Sequence, residues 1–201
     1  MVLKWVLISS IVVLSNGFDS TKLWKIPPPM KGLKLPMLNG KWYVTYRHVS
    51  CSWAGSQVFS DLEVFLSTKS QKIMTISRTI RQNGICNIIL SESRAALLPG
   101  TFLSRELLGN QLEGLEVVLS TDYKTYLIMV GCDRKVMSGN GCEDGYISVR
   151  TRMPHPNKVV KSRINKVLMK HYGTTVDQLL AVTHDRPCKK QPVVCMNGNW
   201  W

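Results

Sequence analysis

Between Gly40 and Arg152 one pattern recurs eight times: a run of four to nine β-branched, aromatic and aliphatic residues, then a turn signal. The runs are Lys41–His48, Val58–Leu66, Lys72–Ile80, Ile85–Ser93, Phe102–Arg105, Leu115–Ser120, Thr125–Cys132 and Gly145–Arg152. Gln82-Asn83-Gly84, Pro99-Gly100, Gly109-Asn110 and Gly139-Asn140-Gly141 punctuate them, as turn residues do between short strands. After Pro156 the period changes. Val160, Ile164, Val167, Leu168 and His171 recur at three- and four-residue spacing, which predicts a helix closed by Gly173. A short run, Leu179–Val182, predicts one last strand. Sequential strands with short connections and one helix predict an all-β fold: an eight-stranded up-and-down antiparallel barrel with a C-terminal α-helix packed outside. A barrel of that size can enclose one small ligand.

The chain has 201 residues, enough for one such domain. It opens MVLKWVLISSIVVLSNG: a basic Lys4, an apolar run from Trp5 to Leu14, then the small residues Ser15-Asn16-Gly17. That is the pattern of a secretory leader, with cleavage expected after Gly17, and it is too short for a membrane span. The organisation read from sequence is a leader at 1–17, a proline-rich arm outside the fold at 18–36, barrel plus helix at 37–190 and a tail at 191–201. Pro27, Pro28 and Pro29 favour extended backbone in that arm. The six cysteines, Cys51, Cys86, Cys132, Cys142, Cys188 and Cys195, suit three disulfides in a secreted chain, and no spacing among them suits a metal. The formal charge is +13, or +12 once Lys4 leaves with the leader. Such a surplus favours weak contact with polyanions or anionic membranes, and equally it can serve solubility alone. No specific nucleic-acid contact is expected.

Three short segments resemble the signatures of the lipocalin family. Gly40-x-Trp42 lies on the first strand, STDYKTY (Ser120 to Tyr126, with Asp122 and Tyr123) precedes the seventh, and Arg152 ends the eighth. Their order and separation agree over nearly the whole mature chain. The resemblance implies that Trp42 lies inside the closed end with Arg152 stacked across it, a structural pair that binds no ligand. It also implies a bridge between Cys132 and Cys142, and a C-terminal Cys188 tied to the barrel. Bilin-binding members would pair Cys188 with Cys51, retinol-binding members with Cys86, leaving Cys195 the remaining partner.

With Trp42 and Arg152 inward, strand alternation carries Val44, Tyr46 and His48 inward on the first strand, and Arg150, Ser148 and Tyr146 on the eighth. The resemblance adds Leu127 and Met129. Val58, Leu62 and Val64 are expected inward on the second strand, Met74, Ile76 and Arg78 on the third. The expected ligand set is thus Val44, Tyr46, Val58, Leu62, Met74, Leu127, Met129, Tyr146, Ser148 and Arg150. A buried arginine needs a partner. Arg150 could hold an acidic ligand, pair with a protein acid such as Glu116, or sit at the bottom rim. His48 at the mouth could ligate haem iron but suits a solvated loop better. Cys86 could act as a cavity nucleophile, but its position matches a disulfide cysteine.

No Ser/His/Asp set or paired carboxylates stand out, so no enzyme, cofactor or metal is expected. The function expected is a secreted carrier or scavenger of a small hydrophobic ligand, such as a retinoid, fatty acid or bilin. The alternative is a surface-binding inhibitor or glycan binder that uses the barrel as a scaffold. An isomerase stands third and would need a free thiol facing the cavity.

Overall fold

The computed structural model describes residues 24–49, 59–68, 70–96, 99–107, 112–132, 137–138, 141–142 and 145–188. Eight antiparallel strands close into a barrel: β1 (Gly40–Val49), β2 (Phe59–Thr68), β3 (Ile73–Gln82), β4 (Ile85–Ala95), β5 (Thr101–Glu106), β6 (Leu112–Thr121), β7 (Tyr126–Cys132) and β8 (Gly145–Thr151). Each pairs with the next, and β8 returns to β1 to close the ring. Every expected strand is present, with ends shifted by a few residues. Three short pieces lie apart from the ring: Trp24–Lys25 pairs with Gly141–Cys142, which in turn pairs with Met137–Ser138.

Helix α1 (Lys158–Tyr172) begins where the Asn157 side chain accepts a hydrogen bond from the Val160 amide, and ends at Gly173 with φ +63°. Both are standard end devices: an Asn N-cap meets an orphan donor, and glycine tolerates the left-handed turn. Val160, Ile164 and Leu168 are buried against Ile128, Val130, Ile147 and Val149, the outward residues of β7 and β8. Each such side chain contributes roughly 1.5–3 kcal/mol on leaving water.

The lower interior is a second apolar cluster, in which Val44, Val64, Leu66, Met74, Ile76, Phe102, Val118, Leu127 and Met129 pack above Trp42. Residues 26–36, expected outside the fold, instead cross the closed end together with the two residues that follow. Leu35 and Leu38 of a short 3-10 turn are buried in this cluster, and the Met30 amide donates to Val118 O at 2.9 Å. The leucines that follow the prolines supply the burial.

The C-terminal segment completes the wall. Only Gly40–Tyr43 of β1 pair with β2, because a bulge at Asp61 (φ +53°) turns β2 aside. In the space left, β9 (Leu180–Ala181) pairs with Tyr46 and Arg47, Val182 N donates to Thr45 O at 2.9 Å, and Asp61 N donates to Thr183 O at 2.7 Å. Asp61 also accepts from Arg81 Nε and the Arg186 amide, both at 3.0 Å. The segment ends in the Cys86–Cys188 disulfide, which spans 102 residues of chain. That removes Cys86 from any nucleophilic role and matches the second of the two pairings expected. Cys132 is also disulfide-bonded. Cys51, Cys195 and the Cys142 side chain lie outside the described residues. Replacing Cys86 and Cys188 together with serine should lower stability by about 2–4 kcal/mol, since closing so long a loop restricts the unfolded chain. Urea unfolding at neutral pH measures this; an unchanged midpoint would mean that the Asp61 contacts alone hold the segment.

Candidate functional site

At the closed end, the Arg152 guanidinium lies 3.6 Å above the centre of the Trp42 ring. Its Nη1 donates to Lys41 O at 2.8 Å, and Nη2 donates to Asn39 O at 3.0 Å and Tyr123 O at 3.4 Å. The Trp42 indole donates to Leu38 O at 2.8 Å. Gly40 is required twice over: its φ is +101°, and an added Cβ would stand 3.2 Å from Arg152 Nη1. Asp122 folds the adjacent turn by accepting from the amides of Lys124, Thr125 and Tyr126. Tyr123 takes φ +63° there, and its hydroxyl accepts from the Lys34 amide. All these residues build the plug.

Above the plug the inward residues of β8 run Arg150, Ser148, Tyr146 toward the mouth, beside Leu127, Met129 and Gly131 on β7. Gly131 leaves room for the Tyr146 ring, which an added Cβ would meet at 2.2 Å. Lying across that gap, Tyr146 donates its hydroxyl to Glu116 Oε1 at 2.7 Å. Ser104 and Ser93 donate to Glu116 Oε2 at 2.6 and 3.2 Å, and Arg78 Nη2 stands 3.7 Å from Oε1. Arg78 also donates to Ser91 at 2.8 Å, and Arg150 Nε donates to Ser148 at 3.2 Å.

Burial alone would raise the pKa of Glu116, which is 2 % exposed; the positive charges of Arg78 and Arg150, with the hydrogen bonds from Ser104 and Tyr146, hold it below the usual range. The carboxylate is therefore ionised at neutral pH. Burial and that negative charge push Tyr146 well above its ordinary value, so its hydroxyl remains a donor. Of the alternatives for Arg150, the protein acid Glu116 supplies the compensating charge. In the sequence Glu116 stands out as a candidate partner for Arg150, whereas Ser91, Ser93 and Ser104 show only as scattered small polar residues of two apolar runs.

Among the expected ligand residues, Val44, Leu62, Met74, Leu127, Met129, Tyr146, Ser148 and Arg150 face the interior; Val58 lies outside the described residues. Tyr46 needs correction. Register shifts by one residue between Val149 and Arg150, so Val44 lies opposite Arg150 while Tyr46 lies opposite outward Val149. Thr45 is the extra residue of this bulge, and beyond it every side chain of β1 changes face. Tyr46 packs on the helix-side cluster, with Lys161 Nζ 5.7 Å from its ring centre. His48 follows it outward, opposite Ile147, which takes it away from any interior iron. Burial lowers its pKa. Arg47 turns inward, opposite Ser148, a placement strict alternation excluded.

The architecture has solved counterparts. The chain is similar to the cockroach allergen Per a 4 at 18% identity and TM-score 0.59, over 79% of this chain and 93% of that one. It is similar to apocrustacyanin C1 at 14% identity and TM-score 0.59, over 82% and 96%. The siderocalin Ex-FABP aligns at 16% identity and TM-score 0.54, over 77% and 96%. These are lipocalin structures, and the fold of this chain is the lipocalin fold. No protein-family profile and no curated protein matches the chain. Among the described residues no cluster of His, Cys, Asp or Glu could hold a metal, and no helix is long and apolar enough to cross a membrane.

Glu116 gives a test of the interior cluster. Its folded pKa lies below the unfolded value near 4.5, so its stabilising contribution is complete above that pH and is lost as pH falls toward the folded value. Asp61 and Asp122 share the sign. Glu116→Gln should therefore flatten part of the acid limb of stability, and cost on the order of 3 kcal/mol at neutral pH by leaving two buried guanidiniums without their counter-charge. Denaturant unfolding across the acid range reads both effects.

Proposed function

We propose that this chain is a secreted carrier or scavenger of a small hydrophobic ligand, held inside the barrel, and not an enzyme. Residues 1–17 act as the leader, and the ligand is of the size and polarity of a retinoid, fatty acid or bilin. The observation that carries this reading is the division of the interior. An apolar lower half from Val44 to Met129 rests on a plugged floor, and beneath the mouth lies one cluster of polar groups, Glu116, Tyr146, Ser148, Arg78 and Arg150. Few precisely placed polar groups in an apolar lining are what small-molecule sites commonly present. The fold likeness supports the same class, and one of those neighbours is described as acting through dual ligand specificities.

A second reading has its own observation. Lys158, Lys161, Lys166 and Lys170 of α1, with Met169, line an open groove of about 770 Å³ whose one acid is Asp177. That surface suits weak contact with a glycan or an anionic membrane. The two readings separate in one pair of measurements on protein purified from its source. Native mass spectrometry should show a bound small molecule that solvent extraction removes. Heparin retention should fall steeply with salt and shrink in Lys161→Glu/Lys166→Glu. An empty barrel together with strong, variant-sensitive retention would favour the scaffold reading.

A further inference from the structure

We infer that Arg47 receives the acidic head group of the ligand at the barrel mouth, and that Arg150 does not. This deepens the carrier reading and rests on it. The inference begins with the Thr45 bulge, which places Arg47 in the inward row of Ser148, one row nearer the mouth than Arg150. There the guanidinium lies over the Phe59 ring, 4.3 Å from its centre. Aromatic contact orients the guanidinium plane but satisfies none of its N–H donors in their own plane. Arg47 Nε is buried and has no hydrogen-bond partner among the described residues, and none of the ion pairs among those residues involves Arg47.

The deeper arginines stand in different surroundings. Arg78 and Arg150 share the negative charge of Glu116, and Ser91 and Ser148 accept from them. A ligand carboxylate brought to that depth would meet Glu116, a like charge in a dry site, at a cost that the two cations already spend on the protein's own acid. None of the ion pairs among the described residues gives Arg47 such a competitor. The neighbouring surface is apolar on the same face: Leu180 of β9 lies beside Arg47 in register and is 59 % exposed, while Val182 reaches the interior cluster. The arrangement fits an amphiphile with a single carboxylate at the mouth and its chain descending past Val44 and Leu62 toward Leu127 and Met129. Head-up binding of a monocarboxylic acid is the specific chemistry implied.

The test is a fluorescence displacement titration of the full mature chain with palmitate and with cetyl alcohol, which has the same chain without the charge. Arg47→Gln should weaken palmitate about tenfold, the lower range of one charge-assisted hydrogen bond at a half-open site, and leave cetyl alcohol unchanged. Arg47→Lys should keep much of the preference for acid, because it keeps the charge. Equal loss of acid and alcohol in Arg47→Gln would overturn the inference by making Arg47 a wall residue. No loss of either would overturn it by placing the head group elsewhere. In both cases the carrier reading stands, since the wild type still binds. A wild-type protein that binds neither compound defeats the carrier reading itself.

Discussion

The stack of Arg152 on Trp42 is the contact from which the rest of the barrel takes its order. A guanidinium plane on an indole is favourable without a counter-charge, and three backbone carbonyls take up its donors. The carbonyls belong to the segment entering β1, to β1 itself and to the turn before β7, so one side chain at the end of β8 locks three parts of the ring. Closure of β8 on β1 then follows in register from Thr151 opposite Tyr43. Leu35 and Leu38 seal the floor from below. With the floor fixed, the remaining inward residues can be given to chemistry.

The interior chemistry turns on two local departures from regularity. At Gly131 a missing side chain lets Tyr146 cross the sheet to Glu116, gathering a carboxylate, two guanidiniums and four serines into one network. Such a network is stable only while its charges remain matched, which makes it a poor receptor for a further negative charge. At Thr45 one extra residue reverses the faces of β1, sending Tyr46 to the helix and Arg47 inside. The first device neutralises the deep cations. The second supplies a cation near the mouth.

Much of this was legible in the sequence because the period of two is strong from Gly40 to Arg152. Alternation on β8 placed Tyr146, Ser148 and Arg150 inward and Ile147 and Val149 toward the helix, as they stand. Gly40, Trp42, Asp122, Tyr123 and Arg152 could be gathered at one end from spacing and resemblance together. What alternation cannot see is a bulge whose extra residue is an ordinary threonine in a β-rich run, since no glycine or proline marks it. Tyr46 and His48 were misassigned for that reason alone. The burial of Leu35 and Leu38 was hidden by the prolines around them, which argue for extended backbone whether or not that backbone is packed. Glu116 was visible as a partner for Arg150, but its serine and tyrosine donors come from three other strands.

The claim that the barrel interior is the ligand site is tested most directly by methionine methyl NMR. Met74 and Met129 are fully buried in the interior cluster, whereas Met153 and Met169 are more than half exposed on the outside, with Met169 in the lysine groove. Adding palmitate to isotope-labelled protein should shift the methyl signals of Met74 and Met129 and leave those of Met153 and Met169 in place. A shift confined to Met169, with Met74 and Met129 unmoved, would contradict the account and move the binding surface to the helix.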